Sequence, residues 1–379
     1  MQRSTDRILT THTGSLPRPP ALTEALVRID RGEGSDADPG FRRQVRDAVA
    51  DVVRRQAQAG VSVVNDGEAG KIGYSTYVKE RLEGFGGEDV GFASMPPDFT
   101  DYPEYMSRLM AGITFRMPAC IGPVAYRSPD AVRADIADLR AALEGADVAE
   151  AFMSSASPGV ISVFLANRHY PSHEDYLGAL ADAMKEEYDE IHAAGFVLQL
   201  DCPDLAMARH MMGDDSLEAY RTRIAQHVEA INHATRDIPP DAMRLHLCWG
   251  NYEGPHVHDV ALGDIIDIVL RARPQGISFE GANPRHEHEW RVFEDVELPD
   301  GKLLIPGVLD STTNYVEHPL LVADRIVRYA RLVGRENVIA GTDCGFATFA
   351  DLVPVDPGIT WAKLAAMGEG AALASEELW

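Results

Sequence analysis

Lysine is scarce in this chain, with five among 379 residues, and the formal net charge is −24. Nucleic-acid binding relies on a basic stripe that neutralises phosphates, so composition argues against a nucleic-acid partner. A strongly polyanionic small ligand is disfavoured for the same reason. Cysteine is also sparse: Cys120, Cys202, Cys248 and Cys344 are widely scattered and do not form the spacing of a disulfide framework. No apolar run approaches the roughly 18 residues of a membrane span, and residues 1–15 are polar apart from Ile8 and Leu9. Neither a membrane protein nor a secreted one is expected, and a cytoplasmic enzyme fits best. There is no low-complexity segment. A Gly-rich phosphate fingerprint is missing after the first strand, where Gly14 is followed by Ser-Leu-Pro.

What is present is a regular alternation of strands and helices. Apolar, β-branched runs predict strands beginning at Ile8 and over 61–68, 158–165, 196–201, 245–249, 276–280, 303–310 and 338–344. Between them, apolar residues at helical spacing predict helices over 41–60, 128–143, 172–194, 217–235, 264–272, 318–333 and 359–373. Residues 74–103 have no steady period and read as a long excursion over one mouth of the fold. Residues 113–124, broken by Pro118, Gly122 and Pro123, read as a hairpin insertion. Eight strands alternating with helices predict an α/β fold, a (β/α)8 TIM barrel spanning 1–379 as a single catalytic domain.

In such a barrel the chemistry gathers at the C-terminal ends of the strands. Ser15, Asp66, Glu68, Asp201, His246, Cys248, Glu280, Asp310 and Cys344 all fall there. Helix capping accounts for some of them. It does not account for His246, Cys248, Glu280 and Cys344 on the fifth, sixth and eighth strands. His246 and Cys248 are two apart between Leu245 and Leu247, so they lean to one face of a strand. Two thiols, an imidazole and a carboxylate suit zinc better than magnesium or calcium. A thiolate-rich zinc with one exchangeable ligand is suited to deprotonating a substrate thiol for attack on an electrophilic carbon. The bland alternative is a buried core cysteine beside a hydrogen-bonded histidine. Cys120 and Cys202 read as packed small hydrophobes, His256 and His258 as loop residues, and His286 and His288 as part of a solvated rim. His12 is open between an active-site group and a structural hydrogen bond.

The motifs Thr-Gly-Ser-Leu-Pro (13–17), Asp-Gly-Glu (66–68), Gln-Leu-Asp (199–201), His-Leu-Cys (246–248), Phe-Glu-Gly (279–281), Pro-Gly-Val-Leu-Asp (306–310) and Thr-Asp-Cys-Gly (342–345) occur in this order. Together they resemble the catalytic barrel of cobalamin-independent methionine synthase and its short single-barrel relatives, including epoxyalkane:coenzyme M transferases. The resemblance implies zinc on His246, Cys248 and Cys344, with Glu280 as the ligand that a substrate thiol displaces. It also implies that Ser15, Glu68 and Asp201 hold the amino-acid part of homocysteine, and two carboxylates do suit an ammonium. Asp310 and His12 stand as candidate catalytic groups. Two departures are plain: the synthases' Asp-x-His after the seventh strand is Asp310-Ser311-Thr312 here, and Asp-Glu-Pro after the fourth is Asp201-Cys202-Pro203.

The expectation is therefore a zinc-dependent thiol S-alkyltransferase, a methionine-synthase-like S-methyltransferase in which zinc activates a small thiol, homocysteine or a related one, for attack on a methyl donor. One alternative is addition of coenzyme M to an epoxide, which would call for an arginine such as Arg18 near Ser15. Another is a non-enzymatic zinc- or thiol-binding protein.

Overall fold

The computed structural model describes residues 1–91, 97–109, 111, 116–209, 211 and 216–379. Its strands are β1 (Leu9–Thr10), β2 (Val63–Val64), β3 (Leu82–Asp89), β4 (Pro118–Tyr126), β5 (Glu150–Ala156), β6 (Val197–Asp201), β7 (Met243–Leu247), β8 (Gly276–Phe279), β9 (Leu303–Leu309) and β10 (Ile339–Thr342). All but β3 and β4 join one parallel sheet in the order β1-β10-β9-β8-β7-β6-β5-β2. The seam between β1 and β2 is drawn shut by Ser62, whose N–H donates to the Thr10 carbonyl at 3.1 Å, and by Thr11 Oγ1 on the Val63 carbonyl at 3.0 Å. The result is a nearly closed TIM barrel with helices outside it.

The strand period decides what fills the barrel. Leu9, Val63, Phe152, Val197, Leu303, Ile305 and Ile339 form a separate apolar plug in its interior. Above it Arg244 is almost fully buried, its guanidinium 3.4 Å from the Phe152 ring centroid. The same guanidinium donates to Gln199 Oε1, Thr11 Oγ1 and the His12 carbonyl at 2.7 to 2.9 Å. Register then continues upward: Asp201 pairs with His246, and His246 with Ser278. One row of neighbouring strands thus carries three polar groups toward the mouth. The larger core lies between the strands and the helices.

The expected third strand, 158–165, is a helix instead, Pro158–Phe164, and the strand is the preceding Glu150–Ala156. A fully buried apolar run does not reveal its period. Here the cap decides: Ser157 Oγ accepts from the Val160 N–H at 3.1 Å and Pro158 takes the first turn. Ser154 and Ser155 disguised the true strand. Residues 74–91 hold more order than their sequence suggests, because β3 pairs antiparallel with β4. The described part of the stretch expected as a hairpin, 113–124, is thus one strand of a hairpin with β3. Residues 92–96 of the expected excursion lie outside the described residues. Part of the predicted hairpin, 113–115, lies outside the described residues. The helix predicted at 264–272 is a 3-10 turn, Leu262–Asp264, followed by one turn of α-helix, Ile266–Val269. A helix at Pro20–Asp30 was not anticipated.

Candidate metal centre and thiol pocket

Cys248 is one residue beyond β7, and with His246 it keeps the inward phase of that strand, while Leu245 and Leu247 pack outward into the core. Cys344 follows β10 by two residues. The sulfurs of Cys344 and Cys248 are 4.0 Å apart, and the donor atoms of His246, Cys248 and Cys344 all lie within 4.8 Å of one another. Two thiolates on one tetrahedral zinc are about 3.8 Å apart at a Zn–S distance of about 2.3 Å. His246 Nδ1 is held by Ser278 Oγ at 3.0 Å, while its Nε2 is buried with no hydrogen-bond partner. Burial holds the His246 pKa down at about 3, so its ring is neutral. Cys344 donates to Cys248, which lowers the Cys248 thiol and raises that of Cys344. A neutral imidazole with one nitrogen oriented and the other unpartnered toward two sulfurs fits a soft divalent ion.

Glu280 is not in that donor group. Its Oε1 accepts from the Trp249 N–H at 2.8 Å and its Oε2 from Asn283 Nδ2 at 2.7 Å. Burial pushes its pKa up to about 8, with His286 acting in the opposite sense. Asn283 is fixed in turn by Asp343, which also accepts from the Gly281 and Ala282 N–H groups. Asp343 and Asn283 were not singled out from sequence. An Asp beside a ligand cysteine carries no spacing signal of its own.

Ser15, Glu68 and Asp201 line the same chamber as the three donors. Glu68 has φ of 55°, a left-handed conformation that non-glycine residues seldom adopt. Its Oε1 accepts from Ser154 Oγ at 2.7 Å, and its Oε2 is buried without a partner. Asp201 accepts from Gln199 Nε2 at 2.7 Å, and its pKa is driven well up by burial and then by the Glu68 charge. Gly14 makes room for this pair, since a Cβ there would sit 2.2 Å from Glu68 Oε1. Gly14→Ala is therefore expected to displace Glu68 and to cost roughly 1–3 kcal/mol of stability by overpacking. Denaturant unfolding together with thiol affinity checks both effects.

Neither residue put forward as catalytic lines this chamber. His12 is buried with Nε2 on Gln56 Oε1 at 2.7 Å and its ring edge-on to Phe152, and burial lowers its pKa to about 4. That is the structural hydrogen bond of the two options. Asp310 accepts from the Thr312 N–H and hydroxyl at 2.8 Å and from Thr313 Oγ1 at 2.6 Å, which folds its own loop. It faces an adjoining polar cavity shared with Glu280, Asn283 and His256. Arg18 ends on two carbonyls, those of Ala347 and Glu68, at 2.9 and 2.8 Å.

The rim reading of His286 is overturned. The ring is buried and stacks on Trp249 with centroids 4.0 Å apart. Asp259 Oδ2 accepts from His256 at 2.8 Å and from His286 at 3.0 Å, and the opposite nitrogen of His286 faces Glu289 at 3.0 Å. Burial alone would lower the His286 pKa, yet these carboxylates raise it to about 10. A folded-state pKa above the ordinary 6.5 gives stability that is complete below about 6.5 and lost as pH rises through about 10. The melting temperature should accordingly fall over that window, and His286→Asn should flatten the profile. A wild-type profile already flat there would remove the charged-histidine account.

No family model matches the chain. The 2-hydroxypropyl-CoM lyase of Xanthobacter autotrophicus is 24% identical over 396 residues, covering 98% of this chain and 96% of that protein. The methionine synthase of Thermococcus kodakarensis is 25% identical over 366 residues, covering 96% and 93%. The chain is a short single-barrel homologue of these enzymes. Among solved structures, a B12-independent methionine synthase from a Shewanella species, in complex with selenomethionine, superposes with a TM-score of 0.72. It is 20% identical and the match covers 98% of this chain and 99% of that one. A putative vitamin-B12-independent methionine synthase from Listeria monocytogenes gives 0.66 at 17% identity, with the same coverage. These two likenesses bear on the barrel itself. No helix among the described residues is long and apolar enough to cross a membrane.

Proposed function

We propose that this chain is a zinc-dependent thiol S-alkyltransferase, a methyltransferase of the methionine-synthase type whose acceptor is homocysteine or a related small amino-acid thiol. The observation that carries it is one chamber with two complementary features. At its floor the unpartnered His246 Nε2 faces Cys248 and Cys344, and on its wall stand Glu68, with an unpartnered carboxylate oxygen, and Asp201. Bound zinc would supply the charge that keeps a substrate thiol deprotonated at neutral pH. Glu68 and Asp201 would take the ammonium of an amino-acid thiol, and Ser15 would lie beside its carboxylate. Residues 1–379 would act as one catalytic barrel. The relatives support thiol or methyl transfer as the class of reaction.

A sulfonate-bearing thiol fits this wall poorly. Among the described residues lining the chamber there is no lysine or arginine, and Arg18 is committed to main-chain carbonyls.

The test is metal analysis followed by X-ray absorption with and without homocysteine. Purified protein should carry about one zinc per chain, and saturating homocysteine should add one sulfur to the metal's neighbours. An unchanged sulfur count would mean a closed structural site. Glu280→Gln should retain far more zinc than either cysteine variant, because Glu280 is tied to Trp249 and Asn283 rather than grouped with the three donors.

A further inference from the structure

The upper wall of the chamber bears on the identity of the alkyl donor. Tyr74, Phe164 and Phe349 meet there with ring centroids 5.6, 5.8 and 6.2 Å apart. Phe164 comes from the helix that replaced the expected third strand, so sequence gave no hint of this grouping. The acidic side chains on the chamber wall beyond the three donors are Glu68 and Asp201, with no lysine or arginine among the described residues. A positive charge beside the three rings would gain from the acidic wall and from the electron-rich faces of the rings.

Among the described residues the chamber also lacks a spare acid. Its single histidine among the described residues is His246, which belongs to the three-donor group. Tyr74 is too weak an acid to give up its proton, and Asp201 is assigned to the thiol's ammonium. A leaving group that must collect a proton, or that departs as an anion, finds no partner among the described lining residues.

We propose that the alkyl donor is an onium compound, a methyl sulfonium or a quaternary methylammonium, seated against Tyr74, Phe164 and Phe349. This rests on the thiol-transfer reading of the same site. The acceptor thiolate supplies the electron pair of the new S–C bond. The C–S or C–N bond of the onium centre breaks with its pair going to the leaving atom, and a neutral thioether or tertiary amine departs. The thiolate's negative charge and the donor's positive charge cancel, and no proton is required. Such a reaction moves charge out of a low-dielectric chamber rather than creating it there.

The test uses the full-length, zinc-loaded protein and two soluble probes of one shape, choline and its neutral isostere 3,3-dimethylbutan-1-ol. Calorimetry should show choline bound about tenfold more tightly, within the range of a desolvated cation on aromatic faces. Tyr74→Phe should keep the difference, and Tyr74→Leu should remove most of it. In parallel, deuterated trimethylsulfonium should pass a labelled methyl group to homocysteine, read by mass spectrometry. Equal binding of the two probes, or methyl transfer from 5-methyltetrahydrofolate with none from the sulfonium, overturns the onium assignment. Homocysteine binding, measured separately, reports on the thiol reading. If homocysteine fails to bind while choline keeps its advantage, the thiol reading falls and the cation preference of the chamber stands.

Discussion

Replacing Cys344 with serine is expected to strip the protein of most of its zinc and to leave the barrel folded. The reason lies in the separation of site from core. The Cys344 side chain contributes one donor at the mouth, while the plug of Leu9, Phe152, Val197 and Ile305 and the outer core between strands and helices are built without it. Cys248→Ser should behave in the same way, since serine is a hard, weakly acidic oxygen ligand where the site offers a soft sulfur. Far-UV circular dichroism should be unchanged in both. Ser278→Ala probes the layer behind: it leaves all three donors in place but releases His246 Nδ1, and such outer partners typically contribute about 10–100-fold in metal affinity. Chelator competition would rank the three variants, with Ser278→Ala the mildest. Full zinc retention in both cysteine variants would end the assignment.

The grouping of His246, Cys248 and Cys344 was legible in the sequence because each residue sits at the end of a strand whose phase and end were legible. His246 and Cys248 alternate with two leucines, and the register that places Asp201, His246 and Ser278 in one row follows from parallel pairing of successive strands. Two things were hidden. One was the third strand, where an apolar run and a Ser-Pro cap made a helix, moving Phe164 from barrel wall to chamber wall. The other was the state of Glu280. Its position after β8 made it a plausible ligand, yet its conformation is set by Trp249 N–H and by an Asn283–Asp343 pair brought in from another strand end. Side-chain hydrogen bonds across 60 residues of chain leave no periodic trace. His286 was misjudged for a related reason: its neighbours in sequence are charged, but its neighbours in space are Trp249 and Asp259.

Asp201→Asn is expected to weaken homocysteine about ten- to a hundredfold, and a thiol without an amine much less. A charge-assisted hydrogen bond contributes roughly 1.5–3 kcal/mol, and each 1.4 kcal/mol is a factor of ten. Asp201 stands in the row with His246, where burial and then the nearby Glu68 charge raise the cost of ionising it. In the absence of a cation the pair therefore favours a proton on Asp201. An ammonium takes that proton's place, so homocysteine binding should release it, and the calorimetric enthalpy should depend on the ionisation enthalpy of the buffer. Coenzyme M offers a sulfonate to the same wall, where like charges repel and no basic side chain among the described lining residues compensates. Its affinity should be lower than that of homocysteine, and it should rise rather than fall in Asp201→Asn. Tighter binding of coenzyme M to the wild type would reverse the ranking and move the chain toward the chemistry of its lyase relative.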